Sequence, residues 1–342
     1  MTPRPLEAHV DWTSADVADP KTWTVELTPA DHRELHAALA HAKSMSDNLL
    51  DIGREDFPLD GLAGKLEGIE RELIDGRGFT RISALDHARY SDDELTMLYW
   101  GIGLHLGDPW PQNAKGHVMG DVTDQGKRLD DPTFRGNELG QVALDYHTDG
   151  ADVIGLMCLR KAARGGLSCV ANAVAIYNEL VRTRPDLAEV LFEPQPYDTR
   201  GEQAPGAKPY YLFPVFTEHD KRFFIRFIPA YIRASQRHPD APRLSPLVQE
   251  ALDTISAMAR DPRNNVYMDL EPGEMQFINN YHVLHGRTSY EDDAATGHKR
   301  HFKRLWLATN YLKDRPAHFR RNVDSHWIKN RSVSRIAAAA RA

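Results

Sequence analysis

The chain has 342 residues, 41% hydrophobic and 27% charged, with a formal net charge of -7; this is ordinary globular usage, and it excludes collagen-like, coiled-coil and disordered classes. Acidic and basic residues are interspersed, so no broad basic surface faces a phosphate backbone and nucleic acid is excluded as a partner. The opening MTPRPLEAHVDW lacks the apolar stretch of a signal peptide and no apolar run is long enough to span a bilayer, so a folded, cytoplasmic protein without a membrane partner is expected.

Thr28 and Pro29 occupy cap and first-turn positions before a stripe of Leu35, Ala38, Leu39 and Ala42, which predicts a helix. A second helix is expected from Ser91, where SDDE forms a capping box with Glu94, through Leu95, Leu98 and Ile102. It ends near His105, with Gly107 as cap and Pro109 as stop. The glycine-rich GIGLHLG (101–107) follows a helical run and has the wrong spacing for a dinucleotide loop. Segment 103–140, rich in Gly, Asp and Asn, reads as a long loop.

From Ala151 short β-branched and aromatic runs alternate with turns. Strands are expected at 151–160, 166–170, 208–217, 221–228, 264–270, 274–278 and 301–311, with 208–217 and 221–228 joined as a hairpin through EHD. Two helices interrupt them, one after Asn172 that stops at Pro185 and one from Pro246. Segment 193–207, with Pro194, Pro196, Gly201, Pro205 and Gly206, reads as a second long loop, and the tail from Arg331 is expected to fray. Many strands without regular strand–helix alternation predict a mainly β fold with flanking helices, a jelly roll, and argue against a doubly wound sheet. One catalytic domain over 1–342 is expected: a helical part to about 105, a jelly-roll core from about 140 to 312 and a tail from 313. Cys158 and Cys169 lie in apolar strands and read as small buried hydrophobes, not nucleophiles. No HExxH, GxSxG or P-loop occurs.

Within LDYHTDGAD (144–152), His147 and Asp149 are two apart in an extended segment, so both side chains can face one point. An imidazole and a carboxylate there suit iron, manganese or zinc. Among 16 histidines and 49 acidic residues such a triplet also arises by chance, and a polar turn is the alternative. Far downstream, GEMQFINNYHVLHGR (273–287) runs from a strand into a polar turn that presents His285, with His282 as its competitor. A 2-His-1-carboxylate triad needs its third ligand on a neighbouring strand. RHFKRLWL (300–307) then places Arg300 and Arg304 on a strand, and a guanidinium fork matches a carboxylate.

In this order, from about residue 95 to 312, HxD, GGxS, NNxxxxHGR and Arg resemble the taurine dioxygenase (TauD/TfdA) and clavaminate synthase-like superfamily of non-haem oxygenases. The resemblance implies a double-stranded β-helix with His147, Asp149 and His285 as ligands of Fe(II), and 2-oxoglutarate and O2 as cosubstrates. It implies Ser168 and Arg300 as the cosubstrate's carboxylate site. Arg304 then touches cosubstrate or substrate, although the spacing from His285 lets the two arginines exchange roles. Gln112, Asn113, Asp121 and Asp124 are candidates for the mouth of the pocket, and Arg226 with Arg304 for an anionic or amino-acid-like group. Asp149 stands where halogenating relatives carry a small residue, so hydroxylation, or a related oxidation such as desaturation, is implied. The substrate class implied is a small amino-acid-like molecule or natural-product intermediate, with succinate and CO2 released. Two other readings stand beside it: a metal-dependent hydrolase or lyase on the same fold, and a non-catalytic jelly-roll binding protein. Oligomeric state leaves no mark in the sequence.

Overall fold

The computed structural model describes residues 3–6, 10–128, 131, 133–293 and 295–320; the tail from Arg331 lies outside them. Two sheets face one another. The larger runs in the order Thr24–Glu26, Phe79–Ser83, Met275–Asn279, Val153–Arg160, His301–Ala308 and Asp108–Pro109, with Met119–Val122 also paired to the 301–308 strand. The smaller runs Asn265–Met268, Ser168–Asn172, Val283–Arg287 and Leu144–His147, antiparallel throughout. This is the expected jelly roll.

Strand alternation sorts the apolar side chains into two layers. Ile154, Cys158, Val170, Ile278, Val283, Phe302 and Trp306 form one cluster between the sheets. Val153, Met157, Phe277, Leu305 and Leu307 turn the other way, into a cluster shared with the helices Asp60–Ile74 and Asp92–Leu106. The helices Ala173–Thr183 and Pro246–Arg260 cover the smaller sheet. Both cysteines are buried, and burial pushes their thiols up to about 12 for Cys158 and about 11 for Cys169, which suits the packing role expected of them.

The capped helices form where the sequence places them: Pro29–Met45 begins at a Thr28/Asp31 capping box and Asp92–Leu106 at the Ser91/Glu94 box. GIGLHLG is helical up to Leu106, and His105 Nε2 lies 2.8 Å from the Phe57 carbonyl rather than beside Asp108. Helix 60–74 was not expected, because Leu59 at its N-cap makes no side-chain cap, although Leu62, Leu66, Ile69 and Leu73 carry the helical period.

Three expectations are corrected. Segment 103–140 is not one loop, since 108–109 and 119–122 add strands to the large sheet. Run 208–217 is two strands: Tyr210–Pro214 pairs with Pro194–Asp198, inside the expected loop 193–207, and Phe216–His219 makes the hairpin with Arg222–Ile225. The chain breaks at Val215, where the Val215 and Phe216 N–H groups both donate to the Leu191 carbonyl at 2.9 and 3.0 Å. Pro194 and Pro196 lack N–H groups, which is compatible with a strand paired on one side only. Finally, His285 lies inside a strand and not on a turn; the turn falls at 280–282.

Packing is tight at Gly155, central in the large sheet: a Cβ there would sit 2.4 Å from the Tyr99 hydroxyl and 2.8 Å from the Phe277 ring. Gly155→Ala is expected to lower stability by about 1–3 kcal/mol through overpacking, measured as a lower denaturation midpoint at unchanged slope.

Candidate metal and cosubstrate site

The two histidines meet because their strands pair. His285 is the register partner of His147, and the ladder shifts between His285 and Arg287, an irregularity of the kind that re-aims side chains near functional sites. Their rings lie 4.3 Å apart between centroids. Two residues past His147 the chain brings in Asp149, with Oδ1 3.9 Å from His147 Nε2 and Oδ2 3.8 Å from His285 Nε2. One ligand atom from each residue lies within 4.8 Å of the others, a spacing that small side-chain rotations bring to the ~2.1 Å bonds of a divalent ion. Among the described residues this is the group of His, Cys, Asp and Glu so placed. His282 does not join it: its Nδ1 sits 3.1 Å from Asn279 Nδ2, and burial pushes its imidazole down to about 4.

The protonation states suit a cation. His147 Nδ1 lies 2.8 Å from the Asp145 carbonyl; a carbonyl only accepts, so the proton sits on Nδ1 and the Nε2 lone pair faces inward. Burial, helped by the neighbouring His147, pushes His285 down to about 3 and keeps it neutral. Burial alone would raise the Asp149 carboxyl, but Arg304, His285, His147 and the Trp306 indole outweigh it and hold the group well below the usual carboxylate range.

A frame of neutral and cationic donors holds Asp149. Arg304 Nη1 and Trp306 Nε1 donate to Oδ2 at 3.2 and 3.0 Å. Its main chain is clamped by Asn280, fully buried, whose Oδ1 accepts from the Asp149 N–H at 2.7 Å while Nδ2 donates to the carbonyls of Asp149 and Ala151 at 2.9 and 2.8 Å. Arg226 Nη1 donates to the same Asp149 carbonyl at 2.5 Å. Asn280 is the second asparagine of the NN pair, a residue to which the sequence motif alone gives no role; its signal is an asparagine in the turn directly before the strand of the distal histidine.

Arg304 and Arg300 stand in separate surroundings. Arg304 is committed: besides Asp149, its Nε donates to Gln112 Oε1 at 2.9 Å, and Gln112 Nε2 donates to the carbonyls of Val118 and Arg304. Gln112 is thus a buried brace for Arg304, away from the cavity mouth. Asn113 organises the 113–117 turn by accepting from the Lys115 and His117 N–H groups. Asp121 pairs with His301 and Lys303, and Asp124 accepts from the Gly126 N–H; none of these three lines the cavity beside the metal ligands. Arg300, 3% exposed, precedes its strand and stacks 3.8 Å from the Phe302 ring centroid. Its Nη1 is buried with no hydrogen-bond partner among the described residues, and its Nη2 donates to the Gly166 carbonyl at 3.4 Å. Burial and the nearby Arg287 pull its guanidinium down to about 10. Ser168 lines the same small cavity, its Oγ donating to Gln276 Oε1 at 2.5 Å. Gly166, at φ +73°, leaves room for this guanidinium, since a Cβ there would lie 2.9 Å from Arg300 Nε. A buried cation with an unmet N–H fits a carboxylate, the group that 2-oxoglutarate would bring.

Iron- and 2-oxoglutarate-dependent oxygenases are built on this framework. The family model described as "Taurine catabolism dioxygenase TauD, TfdA family" matches residues 37–306, and the chain belongs to that family. It is 31% identical over 314 residues to FR-33289 synthase of Streptomyces rubellomurinus, covering 89% of this chain and 90% of the relative. With the taurine hydroxylase-like protein SAT17 of Stachybotrys chartarum it shares 27% identity over 88% of this chain and 79% of the relative. An asparagine oxygenase, solved with Fe(II), 2S,3S-3-hydroxyasparagine and succinate, shares the fold at a TM-score of 0.63 and 16% identity, over 86% of this chain and 97% of that one. The protein is an Fe(II)- and 2-oxoglutarate-dependent oxygenase.

Removing the main-chain clamp is expected to loosen metal binding without unfolding the sheets. Asn280→Ala should weaken ferrous-ion affinity by roughly 10- to 100-fold, as loss of a hydrogen bond that orients a ligand does, measured by metal titration of protein whose circular dichroism is unchanged.

Proposed function

We propose that His147, Asp149 and His285 hold the iron, that Ser168 and Arg300 receive the distal carboxylate of 2-oxoglutarate, and that the enzyme hydroxylates a small amino-acid-like or natural-product molecule in the cavity beside Asp149. The observation that carries this reading is the pairing of the three convergent ligand atoms with a separate buried guanidinium that has an unmet N–H. A hydrolase or lyase would need the metal but would leave Arg300 without a duty, and a binding protein would need neither.

Iron with 2-oxoglutarate and O2 supplies the oxidation: substrate C–H becomes C–OH while the cosubstrate leaves as succinate and CO2. The chain's own residues prepare the place. His147 and His285 present ring nitrogens, and Arg304 with Trp306 fix the carboxylate so that Asp149 stays ionised. Trp306, Leu139 and Tyr146 help wall a cavity of about 240 Å³, and apolar walls limit the water that reaches the reacting atoms. Names of relatives that speak of hydroxylases, and a hydroxylated amino acid bound in a protein of the same fold, support the substrate class.

Asp149→Ala is expected to abolish iron-dependent succinate formation while the thermal unfolding transition persists; retained hydroxylation would remove Asp149 from the ligand set. Arg300→Met is expected to raise the KM for 2-oxoglutarate by about 100-fold or more, the scale of a buried ion pair losing one partner, with ferrous-ion affinity unchanged in a direct titration.

A further inference from the structure

The strand Met275–Asn279 is paired on both sides, with Phe79–Ser83 and Val153–Arg160, and its side chains alternate. Met275 and Phe277 turn toward the helices, while Ile278 packs between the two sheets. Gln276 shares the face of Ile278, so an amide stands in a layer that is otherwise apolar. It is 1% exposed, and a buried amide is costly without a hydrogen bond. Its partner comes from the facing sheet: Oε1 accepts from Ser168 Oγ at 2.5 Å. No hydrogen bond from its Nε2 occurs among the described residues.

Ser168 is the residue that shares the small cavity with Arg300, and its main chain is fixed. The strand it opens pairs Ser168 with Met268 on one side and Arg287 on the other. Just before it, Leu167 N–H donates to Thr288 Oγ1 and Thr288 N–H to the Leu167 carbonyl, both at 3.0 Å. What can turn is the hydroxyl, which carries one proton, whereas a carboxylate only accepts. With that proton on Gln276, the Ser168 lone pairs face an incoming carboxylate and repel it. With the proton turned to the carboxylate and Gln276 left as it stands, two acceptor oxygens face each other in a buried place with no proton between them, which is costly. One motion resolves both. The oxygen and nitrogen of a glutamine amide are of similar size, so a half-turn of the amide exchanges acceptor for donor in nearly the same space.

Resting on the oxygenase reading above, we propose that Gln276 is a positioning residue for the cosubstrate: its amide turns over when 2-oxoglutarate binds, Nε2 donates to Ser168 Oγ, and the Ser168 proton is thereby directed at the distal carboxylate. The donors then run in one direction, from Gln276 through Ser168 to the carboxylate, and each hydrogen bond polarises the next. Arg300 supplies the charge at this end, and Gln276, acting through Ser168, supplies the direction. The half-turn breaks no hydrogen bond among the described residues other than the one to Ser168, which it replaces with another.

The test is a double-mutant cycle read by binding. Protein loaded anaerobically with ferrous iron is titrated with 2-oxoglutarate, and the visible charge-transfer band gives its Kd. Gln276→Leu is expected to raise that Kd about tenfold, the scale of a hydrogen bond to a charged group. In a Ser168→Ala background the same substitution should change it by less than about twofold, because Gln276 acts through Ser168. Gln276→Glu, whose carboxylate accepts and keeps the Ser168 proton away from the cosubstrate, should weaken binding more than Gln276→Leu does. Gln276→Met is read in the same way if Gln276→Leu does not fold. For 2-oxovalerate, which keeps the 2-oxo acid but has a methyl in place of the distal carboxylate, Gln276→Leu should leave the Kd unchanged, whereas a merely structural role would raise both. The proposal is overturned if Gln276→Leu leaves the Kd for 2-oxoglutarate within about twofold of wild type, or if its effect persists in full in Ser168→Ala. Absence of any charge-transfer band in wild type counts against the oxygenase reading instead. The cycle is then read from the rise in unfolding temperature that 2-oxoglutarate gives the metal-free protein by binding its folded state.

Discussion

Everything at this centre hangs on one backbone pairing, the antiparallel ladder between Leu144–His147 and Val283–Arg287. Directly opposed residues in such a ladder hold their Cβ atoms roughly 5 Å apart on the same face, so setting His285 against His147 brings two imidazoles to one point with main-chain hydrogen bonds alone. A slip of one residue would turn His285 outward, toward the side where Leu284 packs among the helices. Val283, buried between the sheets on the same face as His285, helps hold the register. Asp149 then needs only to be held where the strand ends, and Asn280 does that from the turn that leads into the partner strand.

The second layer of organisation is the fate of buried charge. Asp152, fully buried, is answered by Arg315, the Tyr281 hydroxyl and the Thr309 N–H, and this ties the end of the 301–308 strand to the segment that follows Asp149. Arg304 is answered by Asp149. These pairs rigidify the frame, and their full satisfaction marks them as structural or as supports of the ligand set. Arg300 has the opposite character, sheltered from water with an N–H left over. The geometry therefore sorts arginines that the sequence lists as equals.

Elements whose causes are local were legible in the chain. The two capping boxes, the alternating runs at 153–160 and 301–308, and the order of HxD, the distal HGR and the arginines all stand within a few residues of their expected places. What failed depended on partners far away. Pro194–Asp198 reads as a loop because of its prolines, and it becomes a strand because 210–214 pairs with it. Asp108–Pro109 and Met119–Val122 carry no strand signal and are recruited by the edge of the 301–308 strand. His285 was expected on a turn because NNYH is polar, yet Val283–Arg287 is fully buried strand, with Asn279 spending its side chain on the turn itself and Asn280 on the main chain of Asp149 and Ala151.

By itself, then, the sequence determined the kind of fold, through side-chain period and turn chemistry, and the kind of metal site, since only certain residue types can ligate an ion. The tertiary structure decided where each candidate residue stands and what it touches. Bringing His285 and not His282 beside His147 and Asp149, separating Arg300 from Arg304, and withdrawing Gln112 from the pocket into a brace all depend on which face of a strand looks inward and on what lies across from it. Those are relations between segments far apart in the chain, and no local pattern encodes them.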